Sequence, residues 1–439
     1  MPDTFAELAT FLEIPSVSAD PAHREDVLAA GRWVVDFLVG AGGEAELIDW
    51  HGQPIVHGTI AASSDPENAP TVLCYGHFDV QPPDPLELWK SAPFALTERD
   101  GHLYARGIAD DKGQLYLLLA AARQLAQAGT LPVNVRFACD GEEETGGHSI
   151  VEFIAADTGP ADAAVIFDSG MIAAGLPAFN VAMRGLIYFH LSLRTGTSDL
   201  HSGVYGGAAM NAAAALVATL GALLAVDGRI AEPLREGIIA PTAEELTGWA
   251  QLPSGGGELA QQGATPADRT AAEEFYLRTF AEPTFEINGI HSGSPELEKT
   301  VLPVEAIANV SLRLAPGQDP ARIAAAFEAL LTAAVPDGAT LTVTQLSAAP
   351  PGMVAPDARA IQLGLDAFTE TLGVRPALIR SGGTLPIVAA LADRGIPTII
   401  SGFSLPDANI HAPNERLPAA AIGTGIATAA AVFSRLAEL

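Results

Sequence analysis

The sequence predicts an α/β fold interrupted by a smaller, inserted α+β domain. Three observations carry that expectation. Short β-branched-rich runs alternate with helical patterns over residues 1–183, as in an open sheet wrapped by helices. That style stops near residue 184 and returns after residue 348. Between these points, residues 304–348 read as strand, helix and strand, the size of a small α+β sandwich. The expected organisation is a catalytic-type domain built from residues 1–183 and 349–439, with residues 184–348 inserted.

Residues 3–40 read as helical, because Phe5, Leu8 and Leu12, then Val27, Trp33, Val34, Phe37 and Leu38, recur at helical spacing. Runs 55–62 and 71–80 are apolar, β-branched-rich and bounded by turn residues, which predicts strands. A strongly apolar helix is expected over 111–128, strands over 133–140 and 163–168, and a short helix over 149–156. Within the insertion, 186–194 alternates like a half-exposed strand and 208–225 is an Ala-rich helix. Residues 227–300 hold many Gly and Pro and little periodicity. Strands at 304–316 and 339–348 flank an amphipathic helix at 319–335. After residue 350 come a helix near 357–372, the strand PALIR, a Gly-Gly turn, a helix and the buried strand PTIISGF.

With 52 acidic against 23 basic residues and a net charge of -29, the surface repels phosphate backbones, so nucleic acid is not an expected partner. Cys74 and Cys139 are too few for a disulfide framework and lie in apolar runs, so they read as core residues. The N-terminal stretch lacks the basic and apolar regions of a signal peptide. No run reaches the ~18 to 20 apolar residues of a membrane span. A soluble, cytoplasmic protein without a membrane partner is expected.

Five segments place Asp, Glu or His at or just beyond a predicted strand end, where open α/β sheets bind ligands. His77 and Asp79 are two apart and share a face of extended chain. Asp110 and Asp111 precede the long apolar helix, where helix capping is the alternative to metal binding. Glu142, Glu143 and Glu144 are adjacent and repel one another unless cations relieve them; a solvated acidic loop is the alternative. Asp168 ends a very apolar strand, and His411 follows the last one. Two imidazoles and three or more carboxylates suit two Zn²⁺-class ions with mixed N and O donors. Such a pair generates hydroxide at neutral pH and polarises a carbonyl, while a spare carboxylate moves the proton.

In this order, the segments GHFDVQP, ARGIADDKG, DGEEETGG, FDSG and HAPNE resemble the M20 family of metallopeptidases, and its carnosinase-like, broad-specificity dipeptidase branch in particular. The likeness extends to TGTSDLHSGVYGG and TVLPVEAIANVSLRLAPGQ in the insertion. It implies a zinc-exopeptidase-like catalytic domain with a mixed sheet, and a lid and dimerisation domain. It implies two divalent metal ions, Zn first and Mn or Co otherwise. The bridging ligand would be Asp110, with His77 and Asp168 completing one ion's set and Glu144 and His411 the other's. Glu143 would be the general base, Asp79 the partner that orients His77, and Glu142 a bystander. His201 would reach the site of a second subunit in a homodimer and stabilise the oxyanion. Arg313, with the turn at Gly383 and Thr384, would grip the carboxylate of a small peptide substrate.

Two departures from the dipeptidase pattern leave the side-chain preference open and count against carnosine. The turn reads Arg380-Ser381-Gly382-Gly383 in place of Arg-Glu-Gly-Gly, and no histidine lies in 340–360. The expected activity is hydrolysis of a dipeptide or very short peptide through a metal-bridging hydroxide and a Glu base. An N-acyl-amino-acid amidohydrolase or carboxypeptidase using the same ions is the alternative among hydrolases. A non-catalytic, metal-stabilised binding protein is the rival of another class.

Overall fold

The computed structural model describes residues 3–383 and 385–439, without the side chains of Asp3, Thr4 and Glu244. The chain divides into two compact units: Met1–Val181, Val354–Ile379 and Pro386–Leu439 form the first, and Ala182–Met353 with Arg380–Leu385 the second. The insertion expected over 184–348 is therefore slightly longer. It also recruits Arg380–Leu385, which contiguous reading placed in the first domain. A buried ion pair accounts for that recruitment. The Arg380 guanidinium bonds Glu245 at 2.7 and 3.0 Å and the carbonyl oxygen of Ile239 at 2.9 Å, all within the second unit.

The first unit is organised by a mixed six-stranded sheet, in the order Glu44–Trp50, Gln53–Ile60, Asn134–Asp140, Thr71–His77, Ala163–Phe167 and Thr398–Ser401. The last four strands run parallel and the first two antiparallel. Helices cover parallel sheets on both faces, and the strands Thr71–His77 and Ala163–Phe167 are accordingly buried along their whole length. Parallel register sets His77 beside Asp140, so the chemistry-bearing ends emerge on one edge. The helix Lys112–Gln127 buries Leu115, Leu117, Leu118 and Leu119. Its close approach needs glycine: a Cβ on Gly113 would lie 1.9 Å from the Ile108 carbonyl oxygen, and one on Gly76 2.6 Å from the Asp111 carboxylate.

The helix Ala419–Leu436 corrects one expectation. It is long and apolar enough to cross a membrane, with a mean hydropathy of 1.4, although sequence reading finds no such run. Ala421, Ile422, Ala429, Val432 and Phe433 are buried, and the helix contacts Lys112–Gln127 and Arg359–Leu372, as a core helix does. Cys74 and Cys139 are buried and free, and burial pushes both thiols up.

The second unit is an antiparallel sheet in the order Thr284–Ser292, Glu305–Leu314, Gly185–Arg194 and Thr340–Ala349. Ile187, Phe189, Leu191 and Leu193 project from one face into a core with Leu216, Phe327 and Leu331 of the helices Ala212–Gly221 and Pro320–Ala334. The strand Thr284–Ser292 and the helices Ala243–Trp249 and Gly255–Gln261 fall in the stretch read as irregular. That strand lies at the sheet edge with six consecutive exposed residues, so no alternation marks it.

Phe368 closes the first unit's core. Its ring stands 4.9 Å from Phe179, 6.0 Å from Phe167 and 5.9 Å from Phe403 between centroids, with no exposure. Phe368→Ala is expected to lower unfolding free energy by about 3–5 kcal/mol, and Phe368→Leu by clearly less, in urea melts of the full chain. Equal losses for the two would show that the ring's volume is not what matters there.

Candidate metal centre

The five segments converge. Asp110 stands between the two histidines: its Oδ1 is 2.9 Å from His77 Nε2, and its Oδ2 is 2.9 Å from His411 Nε2. Asp168 approaches His77 Nε2 at 3.9 Å, and Glu144 approaches His411 Nε2 at 3.2 Å. Glu143 lies 4.0 Å from His77 Nε2. His77, Asp110 and Glu144 each offer a ligand atom within 4.8 Å of one another. The helix-capping alternative does not describe Asp111, which occupies the N-cap position without a capping bond. Its buried carboxylate accepts the His77 backbone N–H at 3.0 Å instead. The peptide bond between Asp110 and Asp111 is cis.

Burial and mutual repulsion dominate the electrostatics. Burial, then the neighbouring Asp111 charge, pushes Asp168 well above the ordinary carboxylate range. Burial raises Glu143 to about 7, reinforced by Glu144 and Asp110 against the pull of His77. Asp110 goes the other way: burial opposes ionisation, but hydrogen bonds from His411 and His77 hold it well below the usual range. The same bonds hold His411 up at about 10 and, against burial, His77 well above its ordinary value. Glu144 Oε1 is buried without a hydrogen-bond partner among the described residues. A buried carboxylate oxygen left bare is costly unless a cation meets it. Mixed imidazole and carboxylate donors around it suit divalent ions of the Zn²⁺ class.

Supporting contacts complete the arrangement. Asp79 is fully buried, with Oδ1 3.4 Å from His77 Nδ1; its own carbonyl oxygen is nearer that nitrogen, at 3.1 Å. The Asp79 carboxylate also accepts the backbone N–H groups of Glu143 and Glu144, at 3.2 and 3.1 Å. Glu142 holds a neighbouring helix, its Oε1 accepting the Ser149 N–H at 2.7 Å in the first turn of His148–Ala156. Sequence reasoning missed Gln81, whose Nε2 donates to Glu144 Oε2 at 2.9 Å. Its only signal was its place in GHFDVQP, two residues after Asp79.

His201, Arg313 and Gly383 belong to the second unit. His201 is exposed, on the short strand Leu200–His201 paired with Val301–Leu302. Its Nδ1 accepts the Gly203 N–H at 3.0 Å, which leaves the neutral ring's proton on Nε2. Arg313 is half-buried, and burial lowers its proton affinity. Arg184, also missed, donates from Nε to the Gly382 carbonyl oxygen at 3.2 Å. Burial and the nearby Arg313 charge bring it down to about 10. Gly383 is exposed and its N–H donates to Ser381 Oγ at 3.1 Å. Thr384 lies outside the described residues.

Comparison with known proteins adds to this geometry. The family model described as Peptidase family M20/M25/M40 matches residues 73–435. The chain is 28% identical to the Beta-Ala-His dipeptidase of Homo sapiens, covering 98% of this chain and 88% of that protein. It is also 28% identical to a Cys-Gly metallodipeptidase of Schizosaccharomyces pombe, covering 93% and 90%. Its structure resembles that of an M20 family metallo-carboxypeptidase from Sulfolobus solfataricus, with a TM-score of 0.88, 26% identity and full coverage of both chains.

Without an ion, the hydrogen bonds to Asp110 favour the protonated form of both imidazoles, and only neutral imidazole ligates a metal, so protons compete with the ion. Affinity for Zn²⁺ or Co²⁺ is therefore expected to rise with pH from about 6 to 8, with protons released on binding. Titration calorimetry in buffers of different ionisation enthalpy reads both; affinity flat with pH and no proton release would contradict the His–Asp110–His pairing.

Proposed function

This chain belongs to peptidase family M20/M25/M40, and from that premise we propose that it is a metal-dependent dipeptidase holding two divalent ions, with Zn²⁺ the first candidate. One observation carries the reading: the two oxygens of Asp110 each meet a histidine from distant parts of the chain, beside the bare buried oxygen of Glu144. Asp110 would be shared between the ions, with His77 and Asp168 on one side and Glu144 and His411 on the other. Bound there, such ions supply Lewis acidity toward a carbonyl and make water a nucleophile near neutral pH.

The remaining chemistry falls to side chains. Glu143, held at about 7 mainly by burial, suits a group that takes a proton from the attacking water. It then returns that proton to the amine as the C–N bond breaks. The Nε2–H of His201 would donate to the oxyanion in the site of a second copy of the chain. Arg184 and Arg313, beside the Gly382–Gly383 turn, would supply positive charge for a substrate carboxylate. The names of the relatives support a small peptide as substrate, since two of them are dipeptidases acting on Beta-Ala-His and Cys-Gly. The carboxypeptidase likeness makes longer peptides the second reading.

Glu143→Gln is expected to keep its metal content and lose on the order of 10²–10⁴-fold in kcat; substantial residual turnover would remove Glu143 as the base. His201→Ala should fold and be nearly inactive, and mixing it with Glu143→Gln should restore part of the activity. No recovery would argue against a site shared between copies. A panel of dipeptides, longer peptides and N-acetyl and N-succinyl amino acids separates the dipeptidase, carboxypeptidase and amidohydrolase readings.

A further inference from the structure

Glu415 ends the segment that carries His411, and its carboxylate is completely buried. All four of its partners come from one loop about three hundred residues earlier. Oε1 accepts the backbone N–H groups of Ala109 at 2.8 Å and Asp110 at 3.1 Å. Oε2 accepts the Gly107 N–H at 2.9 Å and Arg106 Nη1 at 2.7 Å. Arg106, equally buried, also donates to the Pro82 carbonyl oxygen at 3.2 Å. One side chain thus joins the loop of Asp110 to the loop of His411.

The His411 loop depends on such anchoring. His411 and Asn414 adopt left-handed backbone, with φ of 60° and 64°, which residues bearing a Cβ hold only when their surroundings impose it. Asn414 secures one flank, accepting from the Lys90 N–H at 2.9 Å and donating to the Leu88 carbonyl oxygen at 2.8 Å. Glu415 secures the other. A side chain there without acceptors would strand three buried N–H groups and a buried guanidinium.

We propose that Glu415 is a positioning residue of the metal centre: by bonding the backbone of Asp110 from four residues beyond His411, it fixes the separation of these two ligands and thereby sets ion affinity. The proposal rests on the metal-centre reading above. Outer partners of ligands typically govern affinity about 10- to 100-fold.

The test is Co²⁺ binding to the ion-depleted full chain, followed by d–d absorption and by competition with a chelator. The variants are Glu415→Gln, Glu415→Asp and, as control, Asp157→Asn. Asp157 is a carboxylate bonded to Arg136 and Arg394, both at 2.9 Å, with no part among the ligands. Glu415→Gln should bind Co²⁺ about 10- to 100-fold more weakly with an altered absorption spectrum. Asp157→Asn should melt earlier yet bind with wild-type affinity and spectrum. Should the Gln variant not fold, Glu415→Asp carries the test: the charge remains, the reach is one methylene shorter, and affinity should fall at least about tenfold. A folded Glu415 variant with wild-type affinity and spectrum overturns the proposal while the metal centre stands. Wild-type protein that takes up no Co²⁺ overturns both.

Discussion

Crowding like charges out of water at one edge of a parallel sheet is the constraint around which the first unit is built. Parallel register delivers His77 and Asp140 side by side, and Glu143, Glu144 and Asp168 follow within a few residues of strand ends. Desolvated carboxylates at such spacing repel strongly. Compensation therefore comes from every available source: backbone N–H groups for Asp79 and Glu415, imidazoles for Asp110, a guanidinium for Glu415. Lys112 answers the same crowding. It is buried, donates to the carbonyl oxygens of Phe11 and Ile14, and is brought down to about 7 by burial although Asp79, Asp26 and Glu415 pull it up.

What was legible in the sequence follows from this constraint. The groups gathered at the sheet edge stand close to turn residues, most of them just past apolar strands, and that juxtaposition shows in one dimension. His77, Glu144 and Asp168 stand at or just past such strands, Asp110 lies in the turn before a long apolar helix and His411 in the loop after the last strand of the sheet, while the buried strands and long helices were legible from their apolar runs. The supporting contacts were not. Gln81, Arg184 and Glu415 act through hydrogen bonds to backbone or side chains that are far off in sequence, as with Asp110 and Glu415, 305 residues apart. No periodicity or spacing encodes such a bond. The edge strand Thr284–Ser292 escaped for a different reason: with a neighbour on one side alone and most residues in water, its composition is not constrained to alternate.

The two units face different demands. In the first, polar groups cluster where strands end, and glycines at 76 and 113 let backbone and carboxylate pack within contact distance. In the second, an alternating antiparallel sheet and two helices make an ordinary apolar core. Of its distinctive groups, His201 and Arg313 stand on paired strands, so register sets where they emerge, whereas Arg184 lies between two strands and is held by the carbonyl oxygens of Arg278, Glu282 and Gly382.

The short recruited segment Arg380–Leu385 makes the second unit discontinuous in the chain. Trimming the gene to residues 182–353 would not yield a self-sufficient module. It would leave Glu245 behind without the guanidinium it surrounds, and the reciprocal deletion would leave Arg380 as an orphaned cation. Losing one member of such a buried pair costs about 3–5 kcal/mol. Domain exchange between relatives must therefore transplant both pieces together, and a crossover point chosen from linear sequence alone would cut through this tie.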